Sequence, residues 1–155
     1  MSLIGTSVLV NWGGVLEEKE IDYNQWHSME HMPERISLPG FLRGFRAQGE
    51  PGTNIEDKYF MMYEAEKKEI FVSKNYLERL NNPTKWTKEI LSSYISPSRT
   101  VCSVIASKSI GFSSFLATIR FLDFDIENKF PILHIITIRE IFSNTLFYFN
   151  IKSLD

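Results

Sequence analysis

The sequence predicts an α+β fold whose elements follow one another in the order β-α-β-β-α-β. Four short stretches alternate between apolar and polar residues, which is the period of a β-strand. Two stretches between them carry apolar residues at helical spacing. Glycine, proline and asparagine stand at the junctions, where turns are expected.

The composition is that of an ordinary globular protein. The chain has 155 residues, of which 43% are hydrophobic and 23% charged, enough for one domain with its own core. A net charge of −2 gives no electrostatic case for a nucleic-acid partner, which selects a basic face. Cys102 is the single cysteine, so a disulfide framework and a multi-thiolate metal site are excluded. With no signal peptide in the first residues, we expect a cytoplasmic protein.

The first strand is predicted over residues 3–12. Val8, Val10 and Trp12 alternate onto one face, and the Gly13-Gly14 pair is expected to end the strand.

The first helix carries a start signature. Asp22 is the expected N-cap, Gln25 completes a capping box, and Ile21 and Trp26 occupy the positions of a hydrophobic staple. Pro33 is expected in or just beyond the last turn.

Pro39-Gly40 leads into the second half of the pattern. Residues 41–47 and 58–66 alternate as strands and flank the polar turn EPGTNIED, so they predict a hairpin. A helical pattern begins at about Glu69 and is broken at Asn82-Pro83, after which Thr84 can cap a short further helix. The stretch RTVCSVIASKS is the fourth strand.

This order is the split βαβ, or ferredoxin-like, arrangement, with an antiparallel four-stranded sheet and its helices on one face. The other sheet face is then apolar and uncovered, so we expect a homodimer that closes two sheets into a barrel.

Residues 110–155 follow this first domain, residues 1–109. The stretch GFSSFLATIRFLD resembles the first strand, and two interpretations stay open: an extra strand with an amphipathic helix, or a truncated second repeat. Residues 130–149 are apolar, but Arg139 and Glu140 lie near the middle, where charge is expensive in a bilayer, so no membrane span is expected.

The stretch YNQWHSMEHMPERISLPGFLRGFR resembles the dimeric α-β barrel superfamily, and within it the small EthD-like and related uncharacterised proteins. The matching residues are Tyr23, Trp26, Glu30, His31, Pro33, Glu34, Arg35, Pro39, Gly40 and Phe41. The likeness spans residues 3–108. It implies the fold and the dimer but no single activity, because the superfamily includes cofactor-free monooxygenases, lactone isomerases, cyclases, haem enzymes and proteins of no known activity.

The same stretch contains H-x-x-E-H, from His27 to His31. Two histidines four residues apart could bind zinc with Glu30 as base, but a third protein ligand is needed, and His134 is the one other histidine. We therefore predict no metal and no other cofactor.

The alternative is acid–base chemistry. At about 100° per residue, Glu30 falls between Tyr23 and Trp26 on the arc that faces the sheet, with His27 at the border and His31 one step further out. A structural interpretation of Glu30, in which it pairs with Arg43 or Arg46, stays open beside the functional one.

The sequence thus favours a small metal-free enzyme, of monooxygenase or isomerase type, acting on a small apolar or aromatic substrate. The candidate catalytic residues are His31, Glu30 and His27, and the candidate substrate contacts are Tyr23, Trp26, Arg46 and Tyr63. The alternative is a non-catalytic ligand-binding or accessory protein, so whether the chain is an enzyme stays open. Arg35 and Cys102 are expected to be structural, as are Tyr76 and Trp86.

Overall fold

The computed structural model describes residues 3–107, Leu116, Thr118, Ile135–Ile138 and Leu146–Asn150. The strands are β1 (Ser7–Val15), β2 (Phe41–Gln48), β3 (Tyr59–Ala65), β4 (Tyr94–Ala106), β5 (Ile135–Ile138) and β6 (Leu146–Asn150). They form one sheet in the order β2-β3-β1-β4-β6-β5, and every neighbouring pair is antiparallel. The predicted α+β class and the antiparallel sheet of the first four strands are confirmed, and their order is consistent with the ferredoxin-like arrangement.

Four α-helical segments accompany the sheet. They are α1 (Glu20–Trp26), α2 (Met32–Ile36), α3 (Lys74–Asn81) and α4 (Lys85–Leu91), and a π-helical turn, His27–His31, joins α1 to α2. The helices pack on one face of the sheet, as predicted. The core between the two layers includes Leu9 and Met61 from the strands and Tyr23, Trp26 and Ile90 from the helices.

The predicted end of the first strand is wrong. β1 continues past Gly13 and Gly14 to Val15, and its register with β4 shifts between Trp12 and Gly14. A Cβ on Gly14 would lie 2.0 Å from the carbonyl oxygen of Ile55. The glycines therefore allow a close backbone approach at a bulge and do not stop the strand.

The predicted helix start is also wrong. A short 3-10 turn, Glu17–Lys19, leads directly into α1, so the helix begins two residues before Asp22. Asp22 instead accepts a hydrogen bond at 2.8 Å from the indole Nε1 of Trp86 in α4. Ile21 is 77% exposed while Trp26 is fully buried, so the two cannot form a staple.

Pro33 lies in the last turn of the helical segment, as expected. It is the second residue of α2, which follows the π turn without a break. The segment ends at Ile36, and Gly40 then adopts a positive φ of 86°. This conformation favours glycine, and a Cβ there would also require the Ile70 side chain to move, since its Cδ1 would lie 2.2 Å away.

The second half of the helical layer begins later than predicted. Residues Lys68–Val72 form a 3-10 turn, and α3 starts at Lys74 with Ser73 as its cap. Thr84 caps α4 as predicted, because its hydroxyl accepts a hydrogen bond at 3.0 Å from the backbone N–H of Thr87.

The second sheet face is apolar, as predicted, and its centre is buried within a single chain. Val8, Val10 and Cys102 are each at most 1% exposed, and Leu116 packs against them. Phe45, Met62 and Val104 on the same face are only partly buried. The homodimer, which was inferred from an uncovered face, stays a prediction.

The domain boundary predicted at residues 109 and 110 lies outside the described residues, as does most of the expected second repeat. Two stretches of the extension are described, and both are strands. β6 pairs with β4, and β5 pairs with β6, so they lengthen the sheet. Neither stretch is the amphipathic helix that one interpretation expected. No helix in the described part of the chain is long and apolar enough to cross a membrane.

Candidate functional site

The π turn controls how the H-x-x-E-H residues are presented. A π turn contains one more residue than an α turn, so side chains five positions apart lie one above the other. The imidazole of His31 accordingly stacks on the indole of Trp26, with ring centroids 4.4 Å apart and an angle of 30° between the planes. The His27 and His31 rings lie 5.4 Å apart. Both histidines therefore face the sheet.

Glu30 lies against α4 and not against the sheet. Its Oε1 accepts hydrogen bonds from Trp26 Nε1 at 3.2 Å, from Thr87 Oγ1 at 3.0 Å and from the Thr84 hydroxyl. Trp26 Nε1 also donates to Thr87 Oγ1 at 3.1 Å. Glu30 thus holds the π turn to the capped start of α4.

The predicted arginine partners of Glu30 are wrong. Arg43 instead forms an ion pair with the buried Glu64 on the neighbouring strand. Arg46 donates to the side-chain oxygen of Asn24. The guanidinium of Arg46 also lies over the rings of Tyr23 and Tyr59, at 4.9 and 4.5 Å from their centroids.

His27 is a buried, neutral imidazole. It is 1% exposed, and its Nε2 lies 3.4 Å from the hydroxyl of Tyr63. Burial, with a smaller contribution from the charge of Arg46, lowers the pKa of His27 to about 3. His27 does not line the cavity described next. It contacts Tyr63, which does.

A cavity of about 300 Å³ lies between the helices and the sheet. Its apolar lining includes Leu9, Met61, Leu80, Pro83, Leu91 and Pro97. Leu80 and Leu91 are 45% and 48% exposed, so they lie at its mouth. The volume is at the lower end of the range for small-molecule sites.

His31 lies at the wall of this cavity. Its Nδ1 is buried and has no hydrogen-bond partner among the described residues. Burial holds the pKa of His31 well below its usual value, and the charges of Arg35 and His27 lower it further. The imidazole is therefore neutral at physiological pH, and its Nδ1 makes no hydrogen bond to any described residue.

Four tyrosines also border the cavity: Tyr23, Tyr63, Tyr76 and Tyr94. Burial raises the pKa of Tyr23 to about 12, and it raises the pKa values of Tyr63 and Tyr94 as well. The phenols of Tyr23, Tyr63 and Tyr94 are therefore protonated at physiological pH and can donate hydrogen bonds.

Arg35 is a site residue that the sequence did not reveal. It is 6% exposed and borders the cavity, and its Nη1 has no hydrogen-bond partner among the described residues. The same atom lies 3.5 Å from Oε2 of Glu34, which is too long for a strong hydrogen bond. The sequence places Arg35 only near a helix end, and no local pattern indicates that the helix turns it inward.

The structure thus brings three of the predicted site residues to the cavity: His31, Tyr23 and Tyr63. The other four lie outside its lining. Trp26 supports His31 by stacking, His27 contacts Tyr63, Glu30 binds α4, and Arg46 stacks on Tyr23. Tyr76, expected as core, is buried and also borders the cavity beside Arg35.

The described residues contain no group of three His, Cys, Asp or Glu side chains placed to hold a metal ion. His134, the third histidine, lies outside the described residues. The absence of zinc stays a prediction.

Comparisons of the chain with protein-family models, with curated proteins and with solved structures gave no match. The resemblance to the dimeric α-β barrel superfamily therefore stays a prediction as well.

Proposed function

We propose that this chain is a small metal-free enzyme that holds a mostly apolar, ring-sized molecule in the cavity and uses His31 for proton transfer. The observation that supports this is His31 itself, which lines the cavity and whose buried Nδ1 has no hydrogen-bond partner among the described residues. A neutral imidazole with an unused nitrogen can accept a proton or a hydrogen bond from a substrate. Isomerisation and oxygenation are both compatible with such a group.

The surroundings of His31 favour a fixed geometry. Trp26 holds one face of its ring, and the Trp26 indole is itself anchored by Glu30 and Thr87. A proton-transfer group works best when its position is set before the substrate arrives. In this proposal Trp26 and Glu30 are positioning residues, Tyr23 and Tyr63 contact the substrate, and His31 is the catalytic residue.

A second candidate function is ligand binding without catalysis. The specific observation in its favour is the lowered pKa of His31, because a general base is most effective when its pKa lies near the working pH. An imidazole that binds protons this weakly accepts a hydrogen bond more readily than it removes a proton from carbon.

A single-ring ketone, phenylacetone, separates these two functions. We expect it to perturb the NMR signals of His31 and Tyr63, and to exchange its acidic C–H protons for deuterium faster than in buffer alone. His31→Gln should abolish the acceleration. Ser28→Ala, an exposed position in the same π turn, should preserve it.

Binding without acceleration would favour the non-catalytic protein. No perturbation of the cavity signals at millimolar probe would overturn the proposed site itself.

The proposed protein is cytoplasmic and forms a homodimer within the dimeric α-β barrel superfamily. The antiparallel order β2-β3-β1-β4 supports the fold, and the lone buried Cys102 suits a reducing compartment. Light scattering at micromolar concentration measures the assembly, and a monomer there would remove the dimer from the proposal.

A further inference from the structure

Arg35 has a charge that the folded chain does not fully compensate. Its guanidinium is more than nine-tenths buried, and Nη1 makes no hydrogen bond to any described residue. Glu34 is the nearest carboxylate, at 3.5 Å, and it is shared with the half-exposed Arg79. Leaving a buried cationic donor unsatisfied is costly unless something else binds it.

Among the described residues, the cavity lining near Arg35 contains positive charge and no carboxylate. The charged residues of the described lining are Arg35 and Arg99. Their guanidiniums lie 5.6 and 5.9 Å from the centroid of the Tyr76 ring, and Arg99 Nη2 donates to the Tyr76 hydroxyl at 3.0 Å. One end of an otherwise apolar cavity is therefore suited to an anion.

We propose that the molecule bound in this cavity is an aromatic or apolar carboxylic acid, whose carboxylate is bound by Arg35 and whose ring occupies the apolar part beside His31. This inference rests on the proposed function, because it specifies the substrate class of the same site. A planar guanidinium is the best side chain for binding a carboxylate through two hydrogen bonds. The cavity of about 300 Å³ is at the lower end of the range for small-molecule sites, which suits a single-ring acid.

Such an acid also changes His31. The charge of Arg35 is one cause of the low pKa of His31, after burial. A carboxylate on Arg35 compensates that charge and adds a negative group near the imidazole, and both effects raise the pKa of His31. The substrate itself then brings the base closer to its working range.

The test compares phenylacetate with phenylacetamide, which have nearly the same size and differ in charge. We expect phenylacetate to bind about tenfold more tightly or better, because hydrogen bonds to charged groups are the stronger ones. Arg35→Gln should remove this preference, leaving the two probes equal. Arg79→Gln is the matched control, because Arg79 contacts the same Glu34 but does not line the cavity, and the preference should persist.

NMR titration of the His31 ring supplies a second readout. Phenylacetate should raise the pKa of His31 in the wild type, while phenylacetamide should leave it unchanged.

The outcomes are distinguishable. Equal affinities for the two probes in the wild type contradict the proposal that the ligand is a carboxylic acid, but they leave the proposed cavity as a binding site. No binding of either probe overturns both. If Arg35→Gln does not fold, the wild-type preference and the His31 titration still decide. A wild-type preference for phenylacetate together with an unmoved His31 pKa contradicts the role of Arg35.

Discussion

The imidazole of His31 stacks on the indole of Trp26 at 4.4 Å, although the two residues are five positions apart. In an uninterrupted α-helix, residues five apart differ by about 140° around the axis and do not share a face. The π turn His27–His31 removes this difference. Extra residues of this kind are frequent at functional sites, and here the turn carries the candidate base.

Substitutions of Trp26 and His31 should have different effects, the first on stability and the second on ligand binding. Trp26 is fully buried, so Trp26→Ala should lower the free energy of unfolding by about 3–5 kcal/mol. His31 lies at the cavity wall and not inside the core, so His31→Ala should cost about 1 kcal/mol while abolishing probe binding. Urea unfolding and an NMR titration with phenylacetone measure the two effects. If His31→Ala unfolds the protein, His31 is structural and its functional assignment fails.

Stability should fall as the pH is lowered from about 6.5. The folded-state pKa of His27 is about 3, below its unfolded value of 6.5, so between these values only the unfolded chain takes up the proton. The free energy of unfolding should decrease by up to about 1.4 kcal/mol per pH unit from this group. His31 acts in the same direction, and Arg46 contributes to the low pKa of His27.

Urea midpoints at pH 7.5, 6 and 5 measure this slope. In His27→Gln the slope should be smaller, because this position no longer titrates. Above pH 6.5 the same group contributes no pH dependence, since it is neutral in both states. An unchanged slope in His27→Gln would mean that other groups cause the acid sensitivity.

Glu30 should matter more for stability than for binding, because it contacts Trp26 and α4 and does not line the cavity. Glu30→Ala leaves Trp26 Nε1 and the hydroxyls of Thr84 and Thr87 without their shared acceptor, and should cost about 1–3 kcal/mol. Glu89→Ala is the matched control in α4. Glu89 is exposed and makes only a 3.8 Å pair with Lys85, so its loss should cost about 0.5 kcal/mol or less. A Glu30→Ala protein of normal stability that fails to bind phenylacetone would contradict this assignment.

Cys102 should resist alkylation in the folded protein. The thiol is 1% exposed, and burial raises its pKa to about 12, so the reactive thiolate is scarce at pH 8. Iodoacetamide should modify it rapidly in urea and only through unfolding in buffer. Rapid modification of the native protein would mean that the sheet face containing Val8, Val10 and Cys102 opens locally.

The order of the first four strands and the helices between them could be predicted because each depends on residues close in sequence. The alternation of Val8, Val10 and Trp12 assigned a sheet face correctly, and the side chain of Thr84 capped the helix that follows it. His31, Tyr23 and Tyr63, which the sequence offered as candidate site residues, line one cavity. Helical spacing and strand alternation are enough to bring them to the same side of the sheet.

The tertiary structure decided what the local patterns could not. Residues 27–31 form a π turn and not the regular helix that was assumed. Glu30 forms hydrogen bonds with α4, and Arg35 borders the cavity. The Glu30–Thr87 contact joins residues 57 positions apart, and the Arg35–Tyr76 contact joins a helix end to another helix. A side chain's local sequence sets which face it occupies, but the energy of burying its polar atoms depends on distant partners. Those partners exist only once the chain has folded.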